Sequence, residues 1–182
     1  MFLEQFIKYL TFEKRYSQHT IIAYKNDIIQ YQQHLTSLET EIQLANHQNI
    51  RSWIIDLMDN SLDAKSINRK ISTLRSFYKF LQKEKVITDN PAQKVLAPKT
   101  AKKLPVFITD DKLTTLLDSN SFSDDFEGLR DKLVLELLFG TGIRLSELLG
   151  LKTSNVYLNE KTIKVLGKRN KERIIPINFT LY

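Results

Sequence analysis

The sequence holds no cysteine, which excludes a disulfide framework and a thiolate zinc site and leaves the fold to rest on packing. No run of about 18 apolar residues occurs, so no helical membrane span is encoded. The opening residues, Met1 to Phe6, mix charge among apolar side chains and carry neither a basic leader nor a small-residue cleavage site, which argues against export. An intracellular, cytoplasmic setting is the expectation. Internal repeats and low-complexity tracts are also missing, and the histidines are limited to His19, His34 and His47.

What is present is enough for one ordinary domain or two small ones: 182 residues, 42% of them hydrophobic. Lys and Arg number 27 against 21 Asp and Glu, a formal charge of +6 that suits a polyanionic partner. The excess is local. From Ser61 to Pro105 there are eleven basic residues and three acidic ones, Asp63, Glu84 and Asp89, while the rest of the chain is slightly acidic. Such concentration is the footprint of a surface that faces nucleic acid.

In the first ninety or so residues, apolar positions recur at spacings of three and four, which predicts helices. One stripe is Phe2, Phe6, Ile7 and Leu10; a second is Ile21, Tyr24, Ile28, Tyr31 and Leu35; a third is Ile50, Trp53, Ile54 and Leu57. The fourth, Ile67, Ile71, Leu74, Tyr78 and Leu81, predicts a helix from about Ala64 to Glu84 with one face in a core. Its opposite face carries Lys65, Arg69, Ser72, Ser76, Lys79 and Lys83, with no acidic residue among them.

Thr88 to Pro91 reads as a helix stop and turn, and Ala97 to Pro105 combines proline and lysine with few large apolar residues, as a linker would. Beyond it, Thr109 is placed to cap a short helix through Leu117, and a second helix is expected over Phe126–Phe139, ended by Gly140-Thr141-Gly142. A third should begin near Arg144. Val156-Tyr157-Leu158, a turn at Asn159-Glu160, Thr162 to Leu166, a turn over Gly167–Arg173 and a strand over Ile174–Ile177 then predict a small antiparallel sheet. The fold class expected is therefore mainly α, with a helical domain over 1–95, a linker over 96–106 and an α+β domain over 107–182.

The segment Leu137 to Leu151 reads as helix, glycine turn, helix, with Arg144 at the start of the second helix. A cation there opposes the helix dipole. Either Arg144 pairs with Glu147 one turn on, as an ordinary surface bridge, or the guanidinium and helix end converge on a phosphate, which a planar fork of donors can hold by two oxygens.

Thr141 to Leu148 match without a break the Thr-Gly-Hyd-Arg-Hyd-Ser-Glu-Leu motif, where Hyd is apolar, and with it the chain resembles the tyrosine recombinase and phage integrase family, Xer type. The resemblance implies that Arg144 contacts the scissile phosphate and that Glu147 braces the site. It places Lys168, in Gly167-Lys168-Arg169-Asn170-Lys171-Glu172-Arg173, as the general acid that protonates the leaving deoxyribose oxygen. Arg169 stands where the family usually has glycine, which would strain the turn if that position needs positive φ.

Ser17-x-x-Thr20-x-x-x-Tyr24-x-x-Asp27, Ser66-Ile67-Asn68-Arg69 and Leu74-Arg75-x-Phe77-Tyr78 resemble the family's core-binding domain, a four-helix, SAM-like unit that crosses one face of duplex DNA. The resemblance makes Thr20, Tyr24, Lys25, Lys65, Ser66, Arg69, Lys70 and Arg75 the expected DNA contacts, mostly to phosphates. Ser17 and Asp27 read equally well as capping or bracing residues, and Tyr24 as core.

The implied reaction is attack of a tyrosine hydroxyl on a DNA phosphate, giving a covalent phosphotyrosine, with no metal or other cofactor. Its remaining residues, a His-x-x-Arg motif and a downstream tyrosine, have no counterpart in this sequence, and Tyr182 follows no such motif. The expectation is a truncated catalytic domain whose core is left open. The partners implied are double-stranded DNA and other recombinase protomers, four in the family's working assembly. A DNA-binding module without catalysis is the alternative, and a helix-turn-helix repressor ranks last because it leaves Lys168 in its hairpin unexplained.

Overall fold

The structure is a computed structural model and describes residues 2–101, 104, 107–118, 121–167 and 171–177. The chain divides into two compact units, Met1–Lys103 and Leu104–Tyr182.

In the first unit, α1 (Phe2–Lys8) runs into a π-helical turn over Tyr9–Glu13, and α2 (Gln18–Ser37), α3 (His47–Asp59), α4 (Ala64–Lys83) and a 3-10 turn (Pro91–Lys94) follow. Polar side chains start each of α2 to α4. Ser17 accepts from the Thr20 N–H, Asn46 forms a capping box with Asn49, and Asp63 accepts from the N–H groups of Lys65 and Ser66, which satisfies donors that a helix start leaves open. The π turn closes through the Lys14 N–H on the Tyr9 carbonyl at 3.0 Å. Apolar spacing alone did not predict this local widening.

The four stripes meet in one core. Ile67, Ile71, Leu74, Tyr78 and Leu81 of α4 are all buried, and against them lie Phe6, Ile28, Tyr31, Ile50 and Trp53. Phe6 meets Phe77 edge-on at 5.2 Å, and Tyr31 packs on Trp53 at 5.0 Å, geometries aromatic rings favour. Burial pushes the Tyr31 phenol up to about 12 and raises that of Tyr78. Both rings belong to the core. The expected linker is fastened at its start, since the Asn68 side-chain amide donates to the Pro98 carbonyl at 3.0 Å.

The second unit contains α5 (Asp110–Asp118), α6 (Phe126–Thr141), α7 (Leu145–Leu149), a 3-10 turn (Thr153–Asn155) and strands β1 (Val156–Tyr157), β2 (Thr162–Gly167) and β3 (Lys171–Pro176) in an antiparallel sheet ordered β1-β2-β3. The class is the one expected, mainly α with a small antiparallel sheet. Two boundaries differ from the sequence reading. Helix α6 continues through Gly140 and Thr141, and the second hairpin turn is shorter than Gly167–Arg173 because Gly167 already pairs with Lys171.

Ile143, Ile163 and Val165 form the buried centre of this unit, with Leu138, Leu148, Leu151, Val156, Ile175 and Ile177 packed at its edge. Phe126, Leu133, Leu149 and Ile174 are exposed. Among the described residues no helix is long and apolar enough to cross a membrane.

Candidate DNA-binding and catalytic site

The Thr141-Gly142-Ile143-Arg144 run is a helix stop, a reversal, an anchor and a presented cation. Thr141 Oγ1 donates back to the Leu137 carbonyl, and the Gly142 N–H reaches the Leu138 carbonyl at 3.0 Å. Gly142 has φ 62°, the left-handed conformation that ends α6. Ile143 is then buried against the sheet, and Arg144, the next residue, is exposed at the N-cap of α7.

Glu147 holds this cation and a second one in place. Its Oε2 accepts from the Arg144 backbone N–H at 2.8 Å and from Arg173 Nη2 at 2.7 Å, and its Oε1 accepts from Arg144 Nη1 at 2.9 Å. These donors hold its carboxyl below the ordinary value, the Arg144 N–H first, then the side chains of Arg144 and Arg173. The Glu147 side chain is 2% exposed, whereas those of Arg144 and Arg173 are 63% and 44% exposed. A buried carboxylate thus aims two guanidinium groups toward solvent. Arg144 does pair with Glu147, but with the acid buried this is not an ordinary surface bridge. Nor is α7, five residues long, a strong dipole, so the cations carry the site.

Arg173 was not singled out from the sequence. Register explains it: Arg173 pairs with Val165 and lies two residues from Ile175, which pairs with Ile163, so it shares the sheet face that packs on α7. Gly167 closes the arrangement. A Cβ there would stand 3.1 Å from Glu147 Oε1 and 3.3 Å from the Lys171 carbonyl, so a larger residue would press on this carboxylate where β2 ends. Lys168 and Arg169, next in sequence, lie outside the described residues, as does Tyr182.

In the first unit a second buried carboxylate plays the corresponding part. Asp27 of α2 is 1% exposed and accepts from Arg69 Nη1 and Nη2, from Lys70 Nζ at 2.9 Å and from Thr73 Oγ1 at 2.8 Å, all on α4. Of the expected contacts, Lys25, Lys65, Arg69 and Arg75 are exposed. Thr20 shares a hydrogen bond with the Ser17 hydroxyl at 2.9 Å, and Ser66 Oγ donates to Asp63 at 2.7 Å. Tyr24 is half-buried, meeting Tyr16 edge-on at 6.0 Å, and its phenol is raised first by burial and then by Tyr16 and Asp27.

One expected contact needs correction. Lys70 is buried, its ammonium spent on Asp27 and Gln30, so it has no face to offer DNA. Arg75 sits on the flank of α4 and donates from Nε to the Ala92 carbonyl at 3.2 Å and from Nη2 to the Val95 carbonyl at 2.8 Å. Its guanidinium anchors the chain after α4, yet the residue is exposed, so these bonds do not remove it from the expected contacts.

One further trio has the make-up of a hydrolytic site. His34 lies 2.9 Å from Ser52 Oγ and 2.9 Å from Asp56. The Ser52 hydroxyl, however, donates to the Asn49 carbonyl within α3, where the backbone N–H groups an oxyanion would need belong to the helix ladder. The trio staples α2 to α3. Among the described residues no group of three or more His, Cys, Asp or Glu is placed to hold a metal ion.

Comparison with known proteins agrees with this geometry. Residues 3–85 match the phage integrase N-terminal SAM-like domain and residues 107–182 match the phage integrase family. Tyrosine recombinase XerD of Chlorobaculum tepidum is 40% identical over 180 residues, which cover 98% of this chain and 59% of that protein. Tyrosine recombinase XerC of Staphylococcus carnosus is 37% identical over 173 residues, 95% of this chain and 58% of that protein. The chain therefore spans about three fifths of the length of these relatives. A lambda integrase dimer bound to a COC' core site shares the fold with TM-score 0.75 at 22% identity, over 96% of this chain and 60% of that one. An integrase of transposon Tn1549 in complex with circular intermediate DNA does so with TM-score 0.69 at 21% identity, over all of this chain and 62% of that one. With both units matched and the Arg144 motif in place, the chain belongs to the phage integrase family of tyrosine recombinases.

Proposed function

We propose that the chain supplies the DNA-clasping domain and part of the catalytic domain of a site-specific recombinase that cuts and rejoins DNA through a phosphotyrosine intermediate. Residues 1–95 clasp the duplex, 96–106 link, and 107–182 carry Arg144, Glu147 and Lys168. The observation that carries this reading is the buried Glu147 carboxylate aiming the guanidinium groups of Arg144 and Arg173 at solvent. Two such forks suit a phosphate whose negative charge grows in the transition state. Lys168 is assigned as general acid to the leaving oxygen from its place in sequence after Gly167.

On the first unit the proposed contacts are Thr20, Tyr24, Lys25, Lys65, Ser66, Arg69 and Arg75. Lys70, buried and spent on Asp27, is not among them. The partners are double-stranded DNA and further recombinase protomers, and the setting is the cytoplasm, where that DNA is reached. No cofactor enters the proposed chemistry.

The test is a salt series of titrations of this chain against a labelled duplex, followed by phosphate-ethylation interference with wild type and Arg144→Ala. The expected result is binding that weakens steeply with salt through counterion release, and one interfering phosphate that the variant no longer recognises. Folded protein that binds nothing at low salt refutes the DNA reading. An unchanged interference pattern refutes the role of Arg144. The alternative, a binding module without catalysis, draws on the histidines: His34 is committed to Ser52 and Asp56, and His19 and His47 also lie in the first unit. A footprint on DNA without any covalent adduct on a nicked duplex would favour it.

A further inference from the structure

We infer that Asp27 and Lys70 are a buried positioning pair that fixes Arg69 as a net-cationic phosphate contact, with Lys70 acting as a counter-charge rather than a ligand. The inference rests on the DNA-binding reading above and adds two residues that touch no DNA.

The geometry begins with the bidentate grip of the Asp27 carboxylate on both Nη groups of Arg69. Such a grip fixes the plane of the guanidinium and leaves its other edge, with the Nε–H, for a second oxyanion. The Arg69 side chain is 46% exposed while that of Asp27 is 1% exposed, so the free edge is on the solvent side. It lies on the face of α4 that also carries Lys65, Ser72 and Lys79, all exposed. Arg69 is held like a tool in a vice.

A vice of one carboxylate has an electrical cost. Asp27 alone would neutralise Arg69, and a neutral pair releases no net counterion from DNA. Lys70 removes that cost. Its ammonium reaches the same carboxylate at 2.9 Å, is held also by Gln30 Oε1, and lies 5.8 Å from the Trp53 ring centroid. With Thr73 donating as well, every lone pair of the carboxylate is occupied and the cluster of Asp27, Arg69 and Lys70 keeps one net positive charge. That charge can express itself only through Arg69, because Lys70 is 6% exposed. A network whose sole purpose was to pin α2 to α4 would need no second cation, since burying an extra charge is costly.

The experiment measures the salt dependence of duplex binding by this chain for wild type, Arg69→Ala, Lys70→Met and Asp27→Asn/Lys70→Met, with folding checked by circular dichroism and Trp53 fluorescence. Each phosphate contact contributes about 0.9 to the slope of log affinity against log salt. Arg69→Ala and Lys70→Met are each expected to lower the slope by about that increment. The double variant, which removes one charge of each sign, is expected to restore it while binding more weakly at every salt concentration because Arg69 is no longer held. A merely structural role moves melting temperatures and leaves the slope alone. A slope unchanged in Lys70→Met, or not restored in the double variant, overturns the inference while the DNA reading stands. Absence of salt-dependent binding by the wild type overturns both. Lys70→Gln, which keeps a donor for Asp27, replaces Lys70→Met if that variant does not fold.

Discussion

Gly142→Ala isolates the backbone requirement behind the Thr-Gly-Ile-Arg turn. Gly142 sits at φ 62°, ψ 23°, where a side chain costs an L-residue roughly 1–2 kcal/mol. A Cβ at this position would meet nothing within 4 Å, so no steric clash adds to that figure. Against it stands the lower entropy of an unfolded chain without the glycine, roughly 0.4–1 kcal/mol in the opposite direction. The net expectation is a loss of about 1 kcal/mol from the second unit. Relaxing to negative φ offers no escape, because it breaks the Gly142 N–H bond to the Leu138 carbonyl, at a comparable cost of about 1 kcal/mol. The assay is urea unfolding followed by circular dichroism and by amide exchange of α6 and the sheet. Trp53, the single tryptophan, lies in the first unit and serves as an internal reference. Gly142→Asn is the control, since asparagine tolerates the left-handed region better than alanine. If alanine and asparagine behave alike and both leave stability unchanged, the turn does not depend on φ and the account of how Arg144 is presented fails.

The buried groups give two more expected outcomes. Leu74 is fully buried at the middle of α4, so Leu74→Ala is expected to cost about 2–5 kcal/mol, read as a lower urea midpoint of the Trp53 fluorescence transition; a loss below about 1 kcal/mol would mean the α4 stripe is not the core. Glu147 has its folded-state value depressed, mainly by the Arg144 N–H. Its stabilising contribution is therefore complete above the unfolded carboxyl value of about 4.3 and is lost as pH falls through the lower folded value. Wild type should lose stability of the second unit below about pH 4.3 more steeply than Glu147→Gln, and parallel curves would contradict the three-donor site.

Legibility divides along the distance in sequence between cause and effect. Helix α4 was readable almost to the residue because its stripe and its length are local. The Arg144 motif was readable for the same reason, since Thr141, Gly142 and Glu147 act within a few residues of the arginine they present. What failed was the fate of polar side chains decided by a distant element. Lys70 adjoins Arg69 in sequence, yet a helix turn of about 100° per residue puts one on the open face and the other under α2. The packing that brings Asp27 to α4 then decides what Lys70 is spent on. Arg173 was missed in the opposite sense, because β-sheet register, not spacing, carries it to Glu147.

Lys70, which was misjudged, and Arg173, which was overlooked, share a design. In each unit a buried acid, Asp27 or Glu147, receives two basic side chains from a neighbouring element or turn, and the exposed arginines face solvent. A free arginine on a surface samples many rotamers and loses that freedom when it meets a phosphate. An arginine already fixed by a carboxylate has lost it during folding. Two cations per acid keep the group net positive, which a simple ion pair would not. Basic residues therefore differ in kind here: the arginines on a buried acid are held in one orientation, whereas Lys25, Lys65 and Lys79 are exposed on helix faces and, under the proposed reading, would supply field and affinity without geometry.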